Sequence, residues 1–190
     1  MSKFRGIYFF FPEDIGMNWY KKAKKEKCSG WVAVKLPQMP AKKIQQWGRD
    51  NIPDSVLCKE EGKGRESDTH ITVIYGVCDN SEEKVKDILK NYKSIKVKLG
   101  KVTYFKKSPD FDVVKIEIIS DDLRRLHEDI KRGLNVEEDF DKYQPHATIA
   151  YVKKGEAAQF GGNNFIEGTR ISFNKLVFIN SEDKEFEIKL

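Results

Sequence analysis

A chain of 190 residues that is 39% hydrophobic and 12% aromatic can bury a core as one domain, which excludes a disordered polypeptide. Its net charge of +5 comes from 35 lysines and arginines set against 30 acids, a mild field that favours an anionic ligand but is not the arginine-rich stripe of a duplex-DNA binder. The three cysteines, Cys28, Cys58 and Cys78, show no Cys-x-x-Cys spacing, which argues against both a disulfide scaffold and a zinc ribbon and for a reducing cytoplasm.

The run Ile7 to Phe11 (IYFFF) is too short to span a bilayer and is followed at once by Pro12, Glu13 and Asp14, so neither a signal peptide nor a membrane anchor is expected. The basic run Lys21 to Lys27 reads as a solvated helix face or loop, with contact to a membrane or nucleic acid as the alternative. With no long low-complexity stretch or repeat, residues 1–190 are expected to form a single domain, residues 1–29 being an N-terminal extension.

Gly30 to Leu36 (GWVAVKL) is expected to be a strand, and a helix should run from Pro40 through Trp47 until Gly48 stops it. A polar, glycine-containing loop with Lys63 and Arg65 then opens onto His70 to Val77 (HITVIYGV), a buried strand, and Ser81 caps a helix ending near Tyr92. Ile95 to Phe105 and Asp112 to Ile119 read as a hairpin. Ser120 caps the next helix, with Leu123, Leu126, Ile130 and Leu134 as its apolar stripe and His127 at the core edge, without an assigned role. His146 to Val152 (HATIAYV) is another strand. A Gly/Asn-rich turn at 161–164 follows, and Arg170 to Leu190 reads as a strand hairpin whose first strand is RISFNKLVFIN. Helices interspersed with hairpins predict an α+β fold with mostly antiparallel sheets.

Two of the three histidines sit in matching strands, HITVIY and HATIAY. Residues i and i+2 of a strand share a face, so His70 stands beside Thr72, and His146 beside Thr148. Two imidazoles and two hydroxyls can then converge. One neutral histidine can take the proton of an attacking hydroxyl while a protonated one supplies the leaving oxygen, and the threonine hydroxyls can donate to the non-bridging phosphate oxygens. That set suits phosphodiester cleavage. It needs no cofactor, and each strand offers one histidine and no cysteine cluster, too few ligands for a metal. Tyr75 and Tyr151, an odd number of residues from their histidines, are expected to face the other way, into the core.

The two motifs and their surroundings, including IEIISDDLRRLHEDIKRGL ahead of YQPHATIAYV, resemble the 2H phosphoesterase superfamily. The resemblance implies a bilobal fold of two pseudo-symmetric sheets, with His70, Thr72, His146 and Thr148 as catalytic residues in the cleft between them. Lys63-Gly64-Arg65-Glu66 running into DTHITVIYG is also similar to the phage anti-CBASS nucleases of the Acb1 type, which implies cleavage of 3′–5′ linkages in cyclic di- and trinucleotide immune signals. A 2′,3′-cyclic phosphodiesterase acting on RNA ends or small cyclic nucleotides, and a cyclic-nucleotide sponge that binds without cleaving, are the competing readings. Tyr8, Phe10 and Trp19 are candidates for stacking on a base, or else strand residues packed on the sheet. Lys63 and Arg65 are candidates for meeting a phosphate, or else part of a solvated loop.

Overall fold

The β-branched and aromatic runs do pair as strands, and the computed structural model, which describes residues 28–106, 108–137 and 142–190, joins them in one sheet. In chain order the elements are β1 (Gly30–Lys35), α1 (Gln38–Asn51), β2 (His70–Val77), α2 (Glu82–Leu89), β3 (Ile95–Phe105), β4 (Phe111–Ile119), α3 (Asp121–Gly133), β5 (His146–Lys153), β6 (Arg170–Phe173), β7 (Lys175–Ile179) and β8 (Glu185–Lys189). Tyr8, Phe10, Trp19 and the basic run 21–27 lie outside the described residues.

The best-marked helix is α3. Ser120 Oγ accepts from Leu123 N at 3.1 Å, Asp121 and Asp122 occupy the first turn, and Lys131 and Arg132 the last, all matching the helix dipole. Its stripe of Leu123, Leu126 and Ile130 is buried completely. Each such side chain contributes roughly 1.5–3 kcal/mol by leaving water.

All strand pairs are antiparallel, and the order across the sheet is β6-β3-β4-β5-β2-β1-β7-β8. Two four-stranded halves meet between β5 and β2, where the strands pair only at Ile71 and Ala147. Past that point β5 takes other neighbours, with Ala150 bridged to Arg65 and Val152 to Leu57. The halves therefore splay apart from a single shared rung. Helix α1 packs against β5 and α3 against β2, so each helix backs the strand that carries a histidine.

Three features differ from what the sequence suggests. Helix α1 does not stop at Gly48 but continues to Asn51, and a side chain at position 48 would put Cβ 2.8 Å from Ile149 Cγ2. The glycine admits close contact between helix and β5 and does not end the helix. The run Arg170 to Asn180 is not one strand: Phe173 and Lys175 flank the single residue Asn174, yet β6 pairs with β3 and β7 with β1, in opposite halves of the sheet. Strand-forming residues lie on both sides of Asn174 with no glycine or proline to mark the break, whereas the curl of the sheet creates it. Finally, Cys28 and Cys78 form a disulfide, and only Cys58 of the three is free. Their distance in sequence gave no hint, but pairing of Gly30 with Val77 brings the residues just before β1 and just after β2 together.

Candidate active site

The single rung between the halves is made by the middle residues of the two His-x-Thr motifs. Ile71 and Ala147 are both wholly buried, turned toward the helices. Their neighbours point to the other face, where His70, Thr72, His146 and Thr148 are each half-buried. Continuing the antiparallel register by one residue on either side of that rung sets His70 across from Thr148 and Thr72 across from His146. The structure thus brings together all four residues that the sequence singles out, around a local pseudo-two-fold axis at Ile71 and Ala147.

The symmetry extends to the hydrogen bonds. His70 Nδ1 lies 2.7 Å from Asp68 O, and His146 Nδ1 lies 2.8 Å from Gln144 O, each two residues upstream. A carbonyl can only accept, so Nδ1 carries the proton and Nε2 is the atom left to exchange one with a ligand. An aromatic ring flanks each imidazole: Trp31 beside His70, centroids 5.4 Å apart, and Phe105 edge-on to His146 at 5.0 Å and 89°. His146 is pushed down to about 4, first by desolvation in the concave wall and then by the fields of Lys115 and His70, although its hydrogen bond to Gln144 opposes the shift.

Both motif strands also bulge at the residue after the threonine. Along β2, Ala33 pairs with Thr72 and Val32 with Ile74, leaving Val73 extra; along β5, Lys115 pairs with Thr148 and Val114 with Ala150, leaving Ile149 extra. A bulge advances the chain by one residue without a partner, so the alternation of faces flips beyond it. Tyr75 and Tyr151 therefore lie on the histidine face, not the opposite one. Tyr151 is nevertheless buried, packed with Phe111 and Cys58; desolvation, followed by the charge of Glu66, pushes its phenol up to about 12, with the nearby Thr148 hydroxyl opposing the shift.

His127 explains how the first bulge is held. Buried at 2% exposure, it donates from Nδ1 to Val73 O at 2.8 Å and stacks on Tyr143, whose hydroxyl donates to Thr72 O at 2.9 Å. Two successive carbonyls of the bulge are thereby satisfied from outside the sheet.

Of the proposed basic contacts, Lys63 places its Nζ over the rings of Phe111 and Tyr151, at 4.6 and 4.8 Å, and desolvation lowers its pKa. Arg65 is directed elsewhere: its guanidinium bonds Gly48 O, Ile52 O and the Asp54 carboxylate, tying the loop to the end of α1. Sequence reasoning missed Lys115. It is 6% exposed and pairs with Thr148, and the available signal was a lysine set between the apolar residues Val113, Val114 and Ile116. Among the described residues, the one group of three clustered metal-ligand types is Cys28, Cys78 and Glu137, two of which are joined as a disulfide; it includes neither motif histidine.

An antiparallel curled sheet carrying paired His-x-Thr motifs around a pseudo-two-fold axis defines a 2H phosphoesterase architecture. The sequence profile of the 2′-5′ RNA ligase superfamily matches residues 37–179, and the chain belongs to that family. Solved structures share the fold. E. coli LigT complexed with NADP+ superposes with a TM-score of 0.60 at 15% identity, covering 86% of this chain and 95% of that one. E. coli LigT complexed with 3′-AMP gives 0.58 at 12% identity, with 85% and 94% covered. Kluyveromyces marxianus Usb1 with uridine monophosphate gives 0.53 at 10% identity, with 87% and 99% covered. At these identities the likeness establishes the fold alone. No curated protein matches the chain in sequence.

Proposed function

We propose that the chain is a metal-independent phosphodiesterase acting on ribonucleotides, with His70 and His146 as the proton-transfer pair and Thr72 and Thr148 as donors to the non-bridging phosphate oxygens. The observation that carries this reading is the shared orientation of the imidazoles: each Nδ1 is fixed to a backbone carbonyl, which leaves both Nε2 atoms for chemistry. One Nε2 takes the proton from the attacking oxygen, the new P–O bond forms, and the leaving oxygen departs with a proton from the other Nε2. The threonines hold the charge that builds on phosphorus-bound oxygens meanwhile.

For the substrate we propose a 3′–5′ linked cyclic di- or trinucleotide, with the ribose 2′-OH as nucleophile: the O2′–P bond forms, the P–O5′ bond breaks, and the ring opens to a linear oligonucleotide with a 2′,3′-cyclic phosphate at one end and a 5′-OH at the other. The flanking rings of Trp31 and Phe105 support it, since a substrate with two bases can stack on both sides of the motif pair. A second reading, hydrolysis of a 2′,3′-cyclic phosphate on a single nucleotide or RNA end, is favoured by the mononucleotides bound to LigT and Usb1. Water then replaces the 2′-OH. Incubation with 3′,3′-cyclic GMP-AMP, its 2′-deoxy analogue and a 2′,3′-cyclic nucleotide, followed by product analysis, separates the two. Cleavage of the first without the second supports ring opening, cleavage of the third alone supports the hydrolytic reading, and ligand recovered intact in every case points to a sponge.

A further inference from the structure

The pseudo-symmetry of the site fails in the row of side chains that runs through the threonines. On the β5 side, a row across the sheet reads Thr103, Lys115, Thr148; on the β2 side the corresponding row reads Val177, Ala33, Thr72. Where one half has a lysine, the other has a methyl group. Lys115 is 6% exposed, its Nζ lies 4.0 Å from the centre of the Phe105 ring, and that ring meets His146 edge-on. Among the described residues no carboxylate lies within ion-pair distance of it. Lys35, which pairs with His70, differs in this respect, being bridged to Asp68 at 3.6 Å and Glu185 at 3.3 Å. In the same row as Lys115, the Thr103 hydroxyl oxygen is buried without a hydrogen-bond partner.

A buried ammonium in contact with only a ring face, with the Glu117 carboxylate acting on it from beyond ion-pair distance, is left poorly compensated, and burial holds its pKa below the usual lysine value despite Glu117. Covering Phe105 alone does not account for it. An anion beside Thr148 does.

We propose that Lys115 binds the non-bridging oxygens of the scissile phosphate on the β5 side of the motif pair, giving a nearly symmetric site one direction. The proposal rests on the phosphodiesterase reading and extends it. With the ammonium beside it, His146 works neutral, as the proton acceptor, and His70, opposite Ala33's half of the row, is the donor. The charged and titratable groups facing His146 are Lys115 and Glu117 from β4 and His70 from β2; those facing His70 include Lys35 from β1. Burial and Lys115 together depress the His146 pKa, in keeping with that division.

The test uses inorganic phosphate as the probe and the imidazole Cε1–H proton resonances of His70 and His146 as the readout, on the full chain and on Lys115→Met, Lys115→Arg and Lys98→Met. Lys98 is an exposed residue of β3, and its substitution controls for net charge. Phosphate should move both resonances in the unaltered protein. Lys115→Met should weaken binding by about ten- to a hundredfold, as expected for loss of a charged hydrogen-bond donor, and raise the titration midpoint of His146. Lys115→Arg should retain most of the binding, and Lys98→Met should match the unaltered protein. Phosphate that moves neither histidine in the unaltered protein sinks the phosphodiesterase reading and this proposal with it. Phosphate that moves both, yet binds Lys115→Met as tightly, overturns the proposal alone.

Discussion

Substituting Gly76 by alanine tests the strand that presents His70. Gly76 has φ of 85°, and a Cβ there would stand 2.0 Å from Glu137 O. The left-handed conformation costs an alanine about 1–2 kcal/mol. Separating the two atoms to ordinary contact requires the 135–137 segment to retreat by about 1.5 Å. That movement breaks two backbone bonds, Glu137 N to Gly76 O at 2.8 Å and Cys78 N to Asn135 O at 2.9 Å. At roughly 0.5–1.5 kcal/mol each, the sum comes to about 2–5 kcal/mol. Gly155 supplies a matched control, since it has φ of 89° and open space where a Cβ would go. Gly155→Ala should therefore cost only the conformational part, about 1–2 kcal/mol. Urea unfolding of both variants measures the difference. Equal losses would refute the close approach of Glu137 to β2, and with it this account of how the end of that strand is held.

Reducing the Cys28–Cys78 disulfide, which closes a 50-residue separation, should lower unfolding stability by about 2–4 kcal/mol. A Cys28→Ser/Cys78→Ser variant should be insensitive to reductant, and an unchanged urea midpoint in the unaltered protein would contradict the bond's role. Because the His146 imidazole is pushed down to about 4 in the folded state, the unfolded chain binds its proton first as pH falls. The stability carried by neutral His146 should be complete above about pH 6.5 and be lost as pH falls through about 4. His146→Gln should flatten that part of the urea-midpoint profile, and an unaltered slope would place the titration elsewhere. His70→Ala and His146→Ala should each reduce turnover by roughly 10²- to 10⁴-fold with the circular dichroism spectrum retained. Chelator should leave the rate of the unaltered protein intact; loss restored by one metal would overturn the metal-free mechanism.

The motif strands were legible because β-branched residues in alternation leave little choice of structure, and because His and Thr at i and i+2 must share a face whatever the strand pairs with. Three things escaped for a common reason: they depend on partners distant in sequence. The bulges at Val73 and Ile149 appear only when β2 is aligned with β1 and β5 with β4, so the facing of Tyr75 and Tyr151 was misread from alternation alone. Lys115 looks like an interruption of β4 until Thr148 lies beside it. The disulfide likewise follows from the pairing of β1 with β2, not from any cysteine spacing. The paired His-x-Thr motifs were local information, and their surroundings were not.

The break at Asn174 has a consequence for biosynthesis. β6 and β7 leave the ribosome after every strand of the two halves except β8, yet they close onto β3 and β1, more than seventy and more than one hundred and forty residues earlier in the chain. Until they arrive, β1 and β3 each keep an edge without its final partner, and exposed strand edges invite pairing with other chains. A nascent chain that already carries both histidines would thus remain at risk of aggregation, and one crossing point at Asn174 ends that risk for both halves almost at once.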